Sequence, residues 1–174
     1  MKIAIVGKMC SGKTTLANYI MSKDPRHKIF SFGKGVKDIA YNYFDMKEKD
    51  RSLLINIASK MKEIDNDIWI KYLFNTINSQ YCIIDDVRHQ NELDYLIKNG
   101  WFIIHLNIDK QTQQKRLMRL YSNNYDDHLK NINDISENCD KLIYPPKYPH
   151  LYFNSNDSIH QINMTIISLL EKNK

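Results

Sequence analysis

The chain has 174 residues, 43% of them hydrophobic and 11% aromatic, with a net charge of +5. It is long enough for one well-buried core and too short for two ordinary domains, and no apolar run approaches the roughly 20 residues of a membrane span. The basic residues are scattered instead of interleaved with aromatics in one run, which points to anionic small-molecule partners, with no membrane and no nucleic acid expected.

The chain opens on the apolar run Ile3-Ala4-Ile5-Val6, which leaves no room for an export signal before it. Three cysteines, Cys10, Cys82 and Cys139, are odd in number and lack metal-ligand spacing. A reducing, cytoplasmic setting is the expectation. Next comes Gly7-Lys8-Met9-Cys10-Ser11-Gly12-Lys13-Thr14, which fits G-x-x-x-x-G-K-[ST] without a mismatch and runs into the helical pattern Thr15-Leu16-Ala17-Asn18-Tyr19-Ile20. Glycines let the backbone turn with its N–H groups inward, and the helix beginning there faces a bound anion with its positive end. An ATP-binding loop over Gly7 to Thr15 is expected, with Lys13 reaching the β- and γ-phosphates and Thr14 facing Mg²⁺.

Further short strands are expected at Lys28 to Phe32, Tyr81 to Asp86, Phe102 to Asn107 and Leu151 to Phe153. Most are apolar without clean alternation, as in strands covered on both faces. Helical patterns lie between them, at about Val36 to Phe44, Asp50 to Glu63, Asp67 to Ile77, Gln90 to Asn99, Thr112 to Tyr121 and Ser158 to Lys172. The alternation argues for an α/β fold, a P-loop NTPase with a parallel five-stranded, doubly wound sheet. Three helices stand between the second and third strands where one crossover would suffice. After the fourth strand come an arginine-bearing helix and the polar stretch Tyr121 to Pro149, punctuated as a loop by Pro145-Pro146 and Pro149. Insertions beside a P-loop commonly supply a second substrate site and a lid. The expected layout is a single domain over 1–174: a core of 1–33, 80–110 and 150–174, acceptor-binding helices at about 34–79, and a lid at about 111–149.

Asp85 and Asp86 end the third expected strand, at the carboxyl edge where open α/β sheets bind ligands. One of them, with Asp86 favoured, is expected to hold Mg²⁺; an Asp here can also simply cap the following turn. Arg88 points from the same edge. Two phosphates drawn together repel by roughly 4 kcal/mol per charge pair at about 4 Å and an effective dielectric near 20, and arginines offset that while fixing an in-line approach. The alternative for Arg88 is an ion pair with Glu92 one helical turn on. Lys115 or Arg116 shares a helix side with Arg119, as lid cations or as a solvated basic face. Lys37, Arg51 and Trp69 are candidates to hold an acceptor's phosphate and base, Trp69 being equally a core residue. The histidines show no metal spacing, and no Ser-His-Asp or Cys-His arrangement is evident.

Together these residues resemble the deoxynucleoside monophosphate kinases of the bacteriophage and large-virus type, within the adenylate-kinase-like P-loop kinases. The stretches are Gly7 to Thr15; Phe30-Ser31-Phe32 with Val36-Lys37-Asp38-Ile39-Ala40; Arg51-Ser52-Leu53-Leu54 followed by Asp67-Ile68-Trp69-Ile70; and Ile84 to Glu92, which is similar to the family's D-x-R-x-x-N-E segment. Ser136-Glu137 and Asn154 to Leu170 look like its lid-end pair and closing strand-loop-helix. The resemblance implies a kinase moving the γ-phosphoryl of ATP, with Mg²⁺, onto a (deoxy)nucleoside monophosphate in the cytoplasm, the host's where such kinases are viral, as a monomer or homodimer. It implies that Lys13 and Thr14 bind ATP and Mg²⁺, that Arg88 bridges donor and acceptor, and that Lys37, Arg51 and Glu92 line the acceptor site; beside it, Lys13, Arg88, Arg116 and Arg119 are expected to be catalytic, with Phe32, Trp69 and Arg88 expected to contact the acceptor. The family often has a His shortly before its Ser-Glu pair, whereas the nearby residues here are Asn133-Asp134-Ile135. Phosphomevalonate kinase, which shares the P-loop and a similar D-x-R segment, and a catalytically silent nucleotide-binding protein are the alternatives. A guanine-nucleotide switch would need N-K-x-D and D-x-x-G, and the chain contains neither.

Overall fold

The computed structural model describes residues 1–154 and 157–172, so 155, 156, 173 and 174, part of the expected core segment 150–174, lie outside the described residues. In chain order the elements are β1 (Lys2–Gly7), α1 (Lys13–Lys23), β2 (Lys28–Phe30), α2 (Gly33–Tyr43), α3 (Arg51–Ile64), α4 (Ile68–Thr76), β3 (Cys82–Val87), α5 (Gln90–Lys98), β4 (Phe102–Asn107), α6 (Lys110–Leu120), α7 (Tyr125–Lys130), β5 (His150–Asn154) and α8 (Ile159–Glu171). The five strands form one sheet in the order β2-β3-β1-β4-β5, and each neighbouring pair is parallel.

The apolar runs fill both faces of that sheet, which is why the central strands show no amphipathic alternation. Ala4, Val6, Ile84 and Ile103 face a core shared with α2, α3, α4 and α5. Their neighbours Ile3, Ile5, Ile83 and Ile104 face one shared with α1 and α8. Because β1 pairs with β3 on one side and β4 on the other, strand order reverses at β1, and its carboxyl end opens on the crevice where such sheets bind ligands.

Two stretches differ from the sequence expectation. The β2 strand stops at Phe30 and α2 starts at Gly33, three residues before the expected Val36. The Asp86 carboxylate accepts the N–H groups of Phe32 and Gly33, both at 2.8 Å, and so supplies from β3 the cap that no local side chain gives α2. The polar stretch after α6, read as loop, contains α7 and short 3-10 turns at Ile135–Glu137 and Cys139–Lys141. The α7 helix is held by its contact with α3: Asp127 accepts the Arg51 N–H at 2.6 Å and the Ser52 hydroxyl. The segment expected to form a lid therefore contacts α3. No helix among the described residues is long and apolar enough to cross a membrane.

Candidate active site

The turn after β1 is shaped by its glycines. Gly7 has φ 155°, and a side chain there would meet the Leu106 carbonyl at 2.5 Å; Gly12 has φ 102°, in the left-handed region. The turn therefore closes tightly against β4 and delivers Lys13 into the first turn of α1. The Lys13 ammonium is folded back on its own loop, donating to the carbonyls of Gly7 and Lys8, each at 2.6 Å. It is only 7% exposed. Burial, reinforced by the nearby Arg88 charge, pushes its pKa from 10.5 down to about 7.

Thr14 donates its hydroxyl to Asp85 Oδ2 at 2.7 Å. Burial raises the Asp85 pKa, against the Thr14 hydrogen bond, and the Asp86 charge adds to the rise. Asp86, the favoured metal carboxylate from sequence, is placed differently: its two oxygens take Ser31 Oγ and the N–H groups of Phe32 and Gly33, all at 2.8 Å. The β1–β3 register explains why adjacent residues serve one edge. From Ala4 to Val6 the partner strand runs from Ile84 to Val87, so β3 carries an extra residue at Asp85-Asp86, a bulge that re-aims side chains. Among the described residues no three His, Cys, Asp or Glu side chains cluster as a metal site. Mg²⁺ at phosphate sites needs few protein ligands, and a hydroxyl beside a carboxylate provides the hard oxygens it takes. Thr14 and Asp85 thus fit the ion better than Asp86.

Across the crevice, the Arg88 guanidinium ion-pairs with Glu137 and donates to the Ser136 carbonyl at 3.3 Å. Glu92 is no partner for that guanidinium. Its Oε2 caps α5, accepting the N–H groups of Arg88 at 2.9 Å and His89 at 3.0 Å, and burial pushes its pKa up to about 7. Arg51 also reaches Glu137 Oε1, at 3.0 Å, and Ser136 Oγ, at 2.9 Å. Burial and the neighbouring Arg88 lower its pKa, and its Nε is buried without a hydrogen-bond partner. The other Glu137 oxygen accepts the Met9 N–H at 2.6 Å and Gln113 Nε2 at 3.2 Å.

One cavity of about 920 Å³ follows this edge of the sheet, at the upper end of the usual size for ligand sites. Cys10, Ser11, Gly12, Lys13, Thr14 and Thr15 of the P-loop are among its lining residues. Arg116 and Arg119 of α6 and Asn163 of α8 also line it. Arg116 donates to the Cys10 carbonyl at 3.0 Å, whereas Lys115 is not among the lining residues. Met9, though largely buried, also lines the cavity, whereas Lys8 is not among the lining residues and pairs with Asp140 at 3.3 Å.

One face of α3 runs along the wall. Arg51, Leu54, Ile55, Ala58, Ser59 and Lys62 all line it, at the spacings that share a helix side. Phe32, Lys37 and Trp69 line the cavity too. Trp69 is 5% exposed and donates to the Ala58 carbonyl at 3.2 Å, so it is a core residue with one edge on the cavity. Missing from the sequence reading are Gln113, Asp127 and Lys62. Lys62 could have been found by extending the Arg51 face of the expected helix by three turns. Nothing local marks Gln113 or Asp127, whose partners lie far off in the chain.

The sequence profile of a family described as AAA domain matches residues 3–141. No curated protein matches the chain. Solved structures do. Shikimate kinase from Aquifex aeolicus vf5 is 16% identical at a TM-score of 0.51, with 99% of this chain and 98% of that one covered. A gluconokinase from Sinorhizobium meliloti 1021 is 11% identical at 0.58, covering 99% and 94%. A sugar kinase from Janibacter sp. HTCC2649 is 14% identical at 0.57, covering 98% and 94%. At such identities the likeness is one of fold, that of a P-loop kinase.

Proposed function

From the premise that the chain belongs to the AAA domain family, with the fold of a P-loop kinase, we propose that it transfers the γ-phosphoryl of ATP to the phosphate of a (deoxy)nucleoside 5'-monophosphate. The observation that carries this reading is the convergence of Arg51 and Arg88 on one carboxylate oxygen beside the P-loop. Two partly buried guanidiniums side by side select a doubly charged acceptor. A hydroxyl acceptor such as a sugar would call for a base to take its proton; a phosphate acceptor is already ionised and needs only positioning. The apolar α3 face and the Trp69 edge beyond the arginines suit a planar base.

In the reaction a phosphate oxygen of the acceptor forms the new bond to the γ-phosphorus as the bond to the β,γ-bridging oxygen breaks, leaving ADP. Lys13, released from the Gly7 and Lys8 carbonyls, meets the β- and γ-oxygens, and the N–H groups at the start of α1 hold the β-phosphate. Arg116 and Arg119 approach from α6, and Arg88 stands between donor and acceptor to spread the developing charge. Thr14 and Asp85 would hold Mg²⁺, which supplies charge neutralisation across the β- and γ-phosphates. The lid, tied to α3 through Asp127, keeps water from competing as acceptor.

The test is ADP formation from Mg-ATP across all ribo- and deoxyribonucleoside monophosphates, with phosphomevalonate, shikimate and gluconate alongside. Turnover with at least one nucleoside monophosphate, and its loss in Arg88→Ala, is expected. Turnover confined to the other acceptors, or none with folded protein, overturns the proposal.

A further inference from the structure

The Glu137 carboxylate is 3% exposed and joins four parts of the chain. Its Oε2 holds the Met9 N–H of the P-loop and the Gln113 amide of α6, and Gln113 itself grips the Met9 carbonyl at 3.1 Å. Its Oε1 holds Arg51 from α3 and Arg88 from the turn after β3. The two oxygens have different work. The first locks lid to P-loop through neutral donors; the second is the charge that keeps two like-charged guanidiniums together. Neither arginine is exhausted. Arg51 keeps a buried Nε with no partner, and every hydrogen bond of the Arg88 guanidinium among the described residues is made by Nη1.

We propose that Glu137 is an internal stand-in for the acceptor's phosphate: it neutralises Arg51 and Arg88 while the acceptor site is empty and yields them to an incoming phosphoryl dianion, while Oε2 stays on Met9 and Gln113. Glu137 is thus a positioning residue that keeps both arginines poised, and it sets acceptor affinity by competing for them. The inference rests on the reading that these arginines face the acceptor's phosphate. It makes a prediction opposite to that of a merely structural carboxylate. Glu137→Gln preserves an oxygen for the Met9 N–H and removes the competing charge, so the arginines are left needing an anion.

The experiment titrates inorganic phosphate calorimetrically into protein saturated with Mg-ADP, which fills the P-loop. Phosphate is expected to bind about tenfold tighter to Glu137→Gln than to wild type, and the gain is expected to vanish when Arg51→Gln is added. Equal or weaker binding in Glu137→Gln overturns the inference. Should that variant fail to fold, wild-type protein carrying ¹³C-glutamate serves. The Glu137 Cδ resonance is expected to move as phosphate is added while the Met9 amide stays in place; an unmoved Cδ overturns it. A silent acceptor panel beside tighter phosphate binding in Glu137→Gln strikes the proposed function alone and supports this inference.

Discussion

Lys13 is expected to make nucleotide binding a proton-coupled event. In the ligand-free protein its pKa is pushed from 10.5 to about 7, first by burial and then by the Arg88 charge, with Cys139, Glu137 and Asp86 opposing. A polyphosphate beside the ammonium favours the charged form, so binding Mg-ADP draws in a proton wherever the free protein lacks it. Below pH 7 the lysine is already charged and affinity is flat. Above it, each pH unit costs nearly a decade, and between pH 7 and pH 9 the dissociation constant rises about fifty-fold. The sign for folding is the reverse of the usual lysine case. The unfolded chain holds this proton up to 10.5, so stability of the free protein rises with pH between about 7 and 10.5, and the full penalty applies below 7. Calorimetric titration of Mg-ADP at pH 6, 7, 8 and 9 reads the effect. Lys13→Met is expected to bind more weakly with no slope. A flat wild-type profile, or the same slope in Lys13→Met, would refute the reasoning.

Other residues give equally direct outcomes. Asp85→Asn, next to Thr14, is expected to lower turnover at least 100-fold and to raise the Mg²⁺ needed for half activity; an unchanged Mg²⁺ dependence would rule Asp85 out as the metal carboxylate. Asp86→Ala removes the acceptor for three donors around the β2–α2 turn and is expected to cost about 3 kcal/mol in urea unfolding, a loss under 1 kcal/mol counting against its capping role. Glu92 is buried with its pKa pushed up to about 7, so the stability it allows is present at low pH and is lost as pH rises from the unfolded value near 4.5. Glu92→Gln can keep both backbone bonds, since one oxygen takes them, and is expected to be near-neutral at pH 5 yet stabilising at pH 8, by up to ~3 kcal/mol; equal effects at both pH values would contradict this. Gly35→Ala places a methyl 3.0 Å from Tyr72 and 3.1 Å from Trp69, and should cost about 1–3 kcal/mol while raising KM for the acceptor more than KM for ATP.

What could be read in the sequence was local. The P-loop is one stretch whose glycine conformations and lysine are fixed by neighbours, and the apolar strands announce a sheet covered on both faces. What could not be read was non-local. Asp85 and Asp86 are adjacent on a strand, and only the bulge opposite Ala4–Val6 tells which reaches Thr14 and which caps α2. The start of α2 escaped for the same reason, because its cap lies 53 residues away. Glu137 could be noticed as half of a Ser-Glu pair, but its bond to Met9 spans 128 residues. The α7 helix has 6 residues, too few for a period to show.

The central claim, that fixed cations bring two phosphates together over the P-loop, is tested most directly by ³¹P NMR of the protein with Mg-ATP and the best acceptor from the panel. The account predicts paired resonances of a new nucleoside diphosphate growing in step with ADP and no orthophosphate. Orthophosphate as the only new signal, or a phosphate monoester formed on a hydroxyl, would contradict it.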